Sequence, residues 1–270
     1  MFFTCFFYSA CHSQSSTSWI DVKGSTVKTR FLVPQGFTRV KTTKSSFEEY
    51  LQTLPLKPDG SSVFYYNGEE KSKSNVYCAV IDMEIGKRDL QQCADAIMRL
   101  RAEYLFKQQQ WKEIHFNFTS GDKADFIQYA EGYRVTIKSN KVNWQKTGKK
   151  DYSYQNFRKY MDLVFTYAGT LSLNKELKSV TDMKAIKIGD VFIQGGSPGH
   201  AVIVIDIAEN PNTGEKLFLL AQSYMPAQDI QVLINPMNVK ISPWFSNSFD
   251  GDLDTPEWTF QKKNLKRFGE

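Results

Sequence analysis

Two side chains in this sequence have the types and the order that nucleophilic acyl chemistry requires. One is the thiol of Cys93, in "DLQQCADAIMRLRAEYL"; the other is the imidazole of His200, in "GDVFIQGGSPGHAVIVIDIA". A thiol attacks a carbonyl when a neighbouring base takes its proton, and the base works when a third group holds its ring. His200 is one of only three histidines in 270 residues, so its place at the mouth of an apolar run needs a reason. Plainer readings stand beside this one. Cys93 also fits as a small apolar filler on a helix face, or as half of a disulfide with Cys78. His200 also fits as a packed ring bonded to a loop carbonyl.

The elements that would position these groups are legible in outline. Asp89 to Gln109 lacks Gly and Pro and is rich in helix formers, which predicts a helix capped by Asp89. Cys93 then lies one turn in, where the positive end of the helix dipole lowers a thiol's pKa. At about 100° per residue, Cys93, Ile97, Leu100 and Tyr104 share one arc, widened by Ala94, Met98 and Leu105. Gln92, Arg99 and Glu103 lie opposite. Arg101 falls inside the apolar arc, where it snorkels, grips an anion such as a substrate carboxylate, or pairs with Asp82 or Glu84.

"GHAVIVIDIA" reads as a buried strand that returns through the turn "ENPNTGE" into the strand "KLFLLAQSY". A turn centred near Asn212–Thr213 sets His200 opposite residues 222–224. Partners in register lie about 5 Å apart at Cβ, so Gln222 is the candidate to orient the ring, with Ser223 beside it. A buried amide closing the hairpin is the alternative for Gln222. Gln92 or Gln91, with the Cys93 N–H, would stabilise an oxyanion. The glycine-rich run before His200 would let a substrate backbone approach. Gly199, Ser223 and Arg101 are therefore the candidate substrate-binding residues. His115 reads as a strand residue, and the His and Cys content is too low to suggest a zinc site; no metal or cofactor is expected.

"GDVFIQGG…GHAVIVIDIA" resembles the "GD-apolar-apolar … GH-apolar-apolar-apolar" signature of NlpC/P60-type and CHAP-type papain-like cysteine peptidases and amidases. The resemblance implies a papain-like core in which His200 is the base, a Cys at an earlier helix N-terminus is the nucleophile, which Cys93 matches, and a polar residue on the next strand, Gln222, orients the ring. "QQCADA" departs from the usual "D-C-S-G" around the nucleophile, and the long stretch from Cys93 to His200 requires a helical insertion. The chain is also similar to uncharacterised envelope proteins of Bacteroides-like bacteria, through "DLQQCADAIMRLRAEYL", "PGHAVIVIDIA" and "LLAQSYMPAQ". That similarity carries no activity with it.

The remaining sequence bounds the setting. A net charge of +5 with scattered lysines, and no basic stripe or base-stacking motif, argues against nucleic acid as a partner. "MFFTCFFYSAC" is too short to span a bilayer but suits a signal-peptide core. "YSAC" resembles a lipobox with Cys11 as the lipidated residue and "HSQSSTS" as a tether. Residues 1–20 are thus expected as leader and tether, and residues 21–270 as one α+β domain. That domain should have a mainly antiparallel sheet and two long helices, the second from Ser153 to Leu171. The expected function is a thiol hydrolase, a peptidase or amidase acting on an amide bond such as that of a peptidoglycan peptide. It would work in the periplasm or at the outer membrane, touching the membrane only through a lipid at Cys11. The alternative is a non-catalytic lipoprotein of the same fold that binds glycan or peptide.

Overall fold

The computed structural model describes residues 18–72, 74–138 and 141–269. The expectations for a leader and for lipidation of Cys11 lie outside the described residues, except for positions 18–20. The described chain is a mixed α+β structure with mostly antiparallel sheets. Helix α1 (Val27–Arg30) and strand β1 (Thr38–Arg39) lead to α2 (Phe47–Gln52), where Ser46 Oγ accepts from the Glu49 N–H as an N-cap should. Strand β2 (Tyr77–Val80) precedes α3 (Cys93–Lys107). Two ribbons follow, β3 (His115–Asn117) with β4 (Lys123–Asp125), and β5 (Tyr133–Lys138) with β6 (Lys141–Lys146), separated by α4 (Phe126–Ala130). Helices α5 (Tyr154–Tyr167) and α6 (Thr170–Glu176) come next.

The second half of the chain supplies most of the main sheet. Its strands are β7 (Lys178–Ser179), β8 (Val191–Gln194), β9 (His200–Glu209), β10 (Lys216–Gln222), β11 (Gln231–Leu233), β12 (Phe245–Ser246), the pair β13 (Leu253–Asp254) and β14 (Thr259–Phe260), and β15 (Leu265–Arg267). Nine strands join in the order β2-β11-β10-β9-β8-β15-β7, with β1 on β9 and β12 on β10. β9 is apolar on both faces and buried along nearly its whole length, which a strand tolerates only when both sides of the sheet are covered. The expected hairpin is β9–β10, antiparallel, with Ala221 opposite Ile203 and a register shift between Leu219 and Leu220. The "GD" before β8 has two structural tasks. Gly189 takes a positive φ of 91° with the Phe47 ring 3.1 Å from where a Cβ would stand, so only glycine fits without strain. Asp190 is buried and accepts from the Lys187 N–H and from Arg267 of β15.

The two longest helices fall where the hydrophobic period puts them, with shifted ends. The second stops at Tyr167, because Ala168 and Gly169 leave helical geometry before α6 begins. The predicted apolar arc of α3 is buried, but so is Arg99, which was expected to face solvent and is 1% exposed. The cause is that α3 packs against α2, α5, α6 and β9 together. Arg99 is satisfied by Glu103 Oε1 at 2.6 Å, Gln91 Oε1 at 2.9 Å, Tyr154 Oη at 3.2 Å and Glu84 Oε1 at 3.3 Å. Glu84 therefore pairs with Arg99 and Arg158, not with Arg101. The Arg101 guanidinium instead stacks over the rings of Phe47, Tyr104 and Phe268.

Candidate active site

Helix α3 begins at Cys93 itself, not a turn earlier. Gln92 is the extended N-cap residue, and its N–H is accepted by the Asp95 carboxylate at 3.1 Å. Asp89, the expected cap, stands outside the helix. Its Oδ1 accepts from the Gln92 side-chain amide at 2.9 Å and from the Ala227 N–H at 2.7 Å, tying the helix entry to the loop after β10. Ser223, also buried, adds a second tie: its Oγ lies 2.8 Å from Gln228 O and 3.1 Å from Gln91 O. These ties hold the entry of α3 to the loop after β10, and α3 packs on β9. The backbone N–H groups of Ala94, Cys93 and Ala201 act to lower the pKa of the Cys93 thiol, and Ala201 is the residue that follows His200.

The thiol does not have the low pKa that its place at a helix start suggests. Burial pushes it up to about 11, the Asp95 carboxyl pushes the same way, and the three N–H groups only partly oppose them. Asp95 is itself buried and raised to about 8, chiefly by desolvation. The disulfide reading is excluded, since Cys78 and Cys93 are both free. Cys78 lies in β2 with its sulfur 3.6 Å from Val232 O, and burial lifts its thiol to about 12.

His200 is 1% exposed, and its Nε2 lies 2.8 Å from Gln222 Oε1. Gln222 is equally buried, and its amide nitrogen donates to Glu257 Oε2 at 2.7 Å. Lys71 Nζ donates to the same oxygen at 2.7 Å, and both charged side chains are almost wholly enclosed. The imidazole sits among Tyr224, Trp258 and Phe260, with ring centroids 4.8, 5.4 and 5.9 Å away. Desolvation lowers its pKa to about 4; Lys71 adds to that effect, while the Gln222 bond and the Glu257 charge resist it. Both groups are therefore neutral at rest, and a neutral imidazole is the form that can accept a proton. A polar groove of about 680 Å³ opens alongside, lined by Gln194, Tyr224, Thr255, Glu257 and Trp258 among others.

The other sequence candidates land in varied places. Gln92 is partly exposed, with its amide held by Asp89. Gln91 is fully buried, and its amide nitrogen has no partner. Gly199 lies under α6: a Cβ there would stand 2.5 Å from Thr170 Oγ1, so chain packing accounts for this glycine. Arg101 borders a different cavity, of about 390 Å³, with His115, Glu176 and Phe268. Glu257 and Lys71 were not anticipated. They lie in "PEWTF" and "GEEKSKS", and nothing in their spacing links them to Gln222.

Among the described residues, no group of three His, Cys, Asp or Glu side chains is arranged to hold a metal ion, and no helix is long and apolar enough to cross a membrane. Comparison with known proteins gives one match: the family model DUF4846, described as a domain of unknown function (4846), covers residues 27–267. No curated protein and no solved structure matches the chain.

Proposed function

The chain belongs to the DUF4846 family, and we propose that it is a papain-like thiol hydrolase, a peptidase or amidase. One observation carries the reading. The Cys93 thiol, at the first position of a helix packed against β9, is acted on by the backbone N–H of Ala201, the residue after His200, and a glutamine on the neighbouring strand lies 2.8 Å from the His200 ring. Nucleophile, base and orienting group thus come from a helix start and two adjacent strands, as nucleophilic catalysis by a thiol requires. Because both partners are neutral at rest, the proton moves as the bond forms. The Cys93 proton passes to the free nitrogen of the imidazole while sulfur bonds to the carbonyl carbon. The same proton then goes to the leaving nitrogen as the C–N bond breaks, giving a thioester and a free amine. Water, deprotonated by the imidazole, attacks the thioester, releases the acid and returns the proton to sulfur.

The resemblance to NlpC/P60-type and CHAP-type enzymes supplies the substrate class, an envelope amide such as that of a peptidoglycan stem peptide. It also supplies the setting, a secreted or lipid-anchored protein of the periplasm or outer membrane. The polar groove beside His200, with Tyr224 and Trp258 along it, offers room for a peptide or glycopeptide. A second reading, a binding protein of the same fold, is favoured by the burial of the thiol and its raised pKa.

Incubation of the full chain with defined stem peptides, followed by mass spectrometry, separates the two. The hydrolase reading expects cleavage that falls by roughly 10²-fold or more in Cys93→Ala and His200→Ala. It also expects an electrophilic peptide to label Cys93 in the folded protein, while iodoacetamide alone reacts slowly at pH 6 and faster toward pH 11, following the thiol. No cleavage by the wild type, or labelling of Cys93 only after unfolding, would leave the binding reading in possession, and cleavage retained by Cys93→Ala would overturn Cys93 as the nucleophile.

A further inference from the structure

We propose that Glu257, held by Lys71, decides which ring nitrogen of His200 carries the proton, and that it acts through Gln222. The proposal rests on the reading of His200 as the base for Cys93, and it makes Glu257 and Lys71 positioning residues for that base.

The hydrogen bonds fix one another in sequence. A lysine ammonium has only hydrogens to give, and Lys71 Nζ meets Glu257 Oε2 at 2.7 Å. That oxygen is therefore an acceptor. The end of Gln222 that meets it, also at 2.7 Å, must then be the NH2. The other end of the same amide, the carbonyl oxygen, faces His200 Nε2 at 2.8 Å. A carbonyl oxygen only accepts, so Nε2 carries the hydrogen. A neutral imidazole has a single N–H, which leaves Nδ1 with the lone pair, the one ring position able to receive a proton under the proposed function.

Turning the Gln222 amide over reverses all of this. Its NH2 would face Nε2, the ring hydrogen would move to Nδ1, and the ring would have no base to offer on that side. In a solvated site the two orientations would differ little. Here Gln222, His200 and Lys71 are all less than 5% exposed, and the turned amide would press its oxygen against the Glu257 carboxylate, a repulsion that such enclosure strengthens. In a nucleophile–His–carboxylate triad, presenting the wrong tautomer costs about 10⁴-fold in rate, so the choice of orientation has catalytic weight. The two positioning residues come from remote parts of the chain. Lys71 precedes β2, and Glu257 lies between β13 and β14.

The test reads the ring nitrogens directly, by two-bond ¹H–¹⁵N correlation spectra of the ¹⁵N-labelled full chain at pH 7, with His200→Gln used to assign the signals. The wild type should show the neutral Nε2–H form. The double variant Lys71→Met/Glu257→Leu replaces the enclosed pair by apolar side chains of similar size, a change that folds often tolerate. It should show a mixture of tautomers or the Nδ1–H form, with labelling of Cys93 by an electrophilic peptide slowed roughly tenfold or more. Glu257→Asp should return the pattern toward wild type. A wild-type ring protonated at Nδ1 overturns the proposal without recourse to any variant, and so does a double variant that keeps the wild-type spectrum. The spectrum needs no substrate and no turnover. Failure of the hydrolase reading would appear separately, in the cleavage assay.

Discussion

At the scale of single residues, His200 binds its environment to acidity. Its folded pKa of about 4 lies below the unfolded value near 6.5, so between those limits the unfolded chain holds the extra proton. Stability is full above about pH 6.5 and falls as the pH drops toward 4, by about 3 kcal/mol from this group. Asp95 runs the other way. Its folded pKa of about 8 exceeds the usual carboxyl value, so stability falls as the pH rises toward 8. Urea unfolding of His200→Gln at pH 7 and pH 4.5 should show a smaller loss on acidification than the wild type, and an equal loss would contradict the assignment. The sequence named Cys93, His200 and Gln222 because strand pairing and helix starts leave local marks. It misjudged the thiol, since the helix end is local while burial by β9 is not. It could not reach Glu257 or Lys71, since contacts between distant segments leave no spacing to read.

At the scale of elements, the helix α3 shows what an arc of apolar residues can and cannot tell. The arc located the face against β9, but the opposite side is covered as well, and Arg99 is enclosed with its partners. A helical wheel assumes one wet side; a helix packed on several neighbours has almost none. The start of α3 depends on a residue outside it. Asp89→Ala removes the acceptor of the Ala227 N–H, and Ala227 is buried. A buried donor left without a partner costs about 1–3 kcal/mol. Chemical denaturation should therefore show Asp89→Ala about 2 kcal/mol less stable. If the start of α3 shifts in this variant, Cys93 cleavage and labelling should fall with it.

At the scale of the whole molecule, the sheet is closed by strands from the far end of the chain. β15 lies between β8 and β7, and Arg267 meets the buried Asp190 through two bonds, at 2.6 and 2.8 Å. Arg267 is half-buried while Asp190 is fully buried, and leaving a buried acceptor without its partner costs about 1–3 kcal/mol. Arg267→Ala should lose stability on that order in urea, and Asp190→Asn in the same chain should recover part of it. The antiparallel α+β arrangement was legible from alternating runs and turn residues. The role of the C-terminal fifth was not, because its strands are two or three residues long and carry no period.

The order of these segments along the chain has a further consequence. A ribosome delivers Cys93 first, then His200 and Gln222, and only afterwards Glu257. Until the segment bearing Glu257 folds onto β9, nothing stops the Gln222 amide from turning. The nascent chain thus carries a thiol and an imidazole whose partnership is not yet set. Under the proposed function, the base is set for the thiol only after the segment that bears Glu257 has been made.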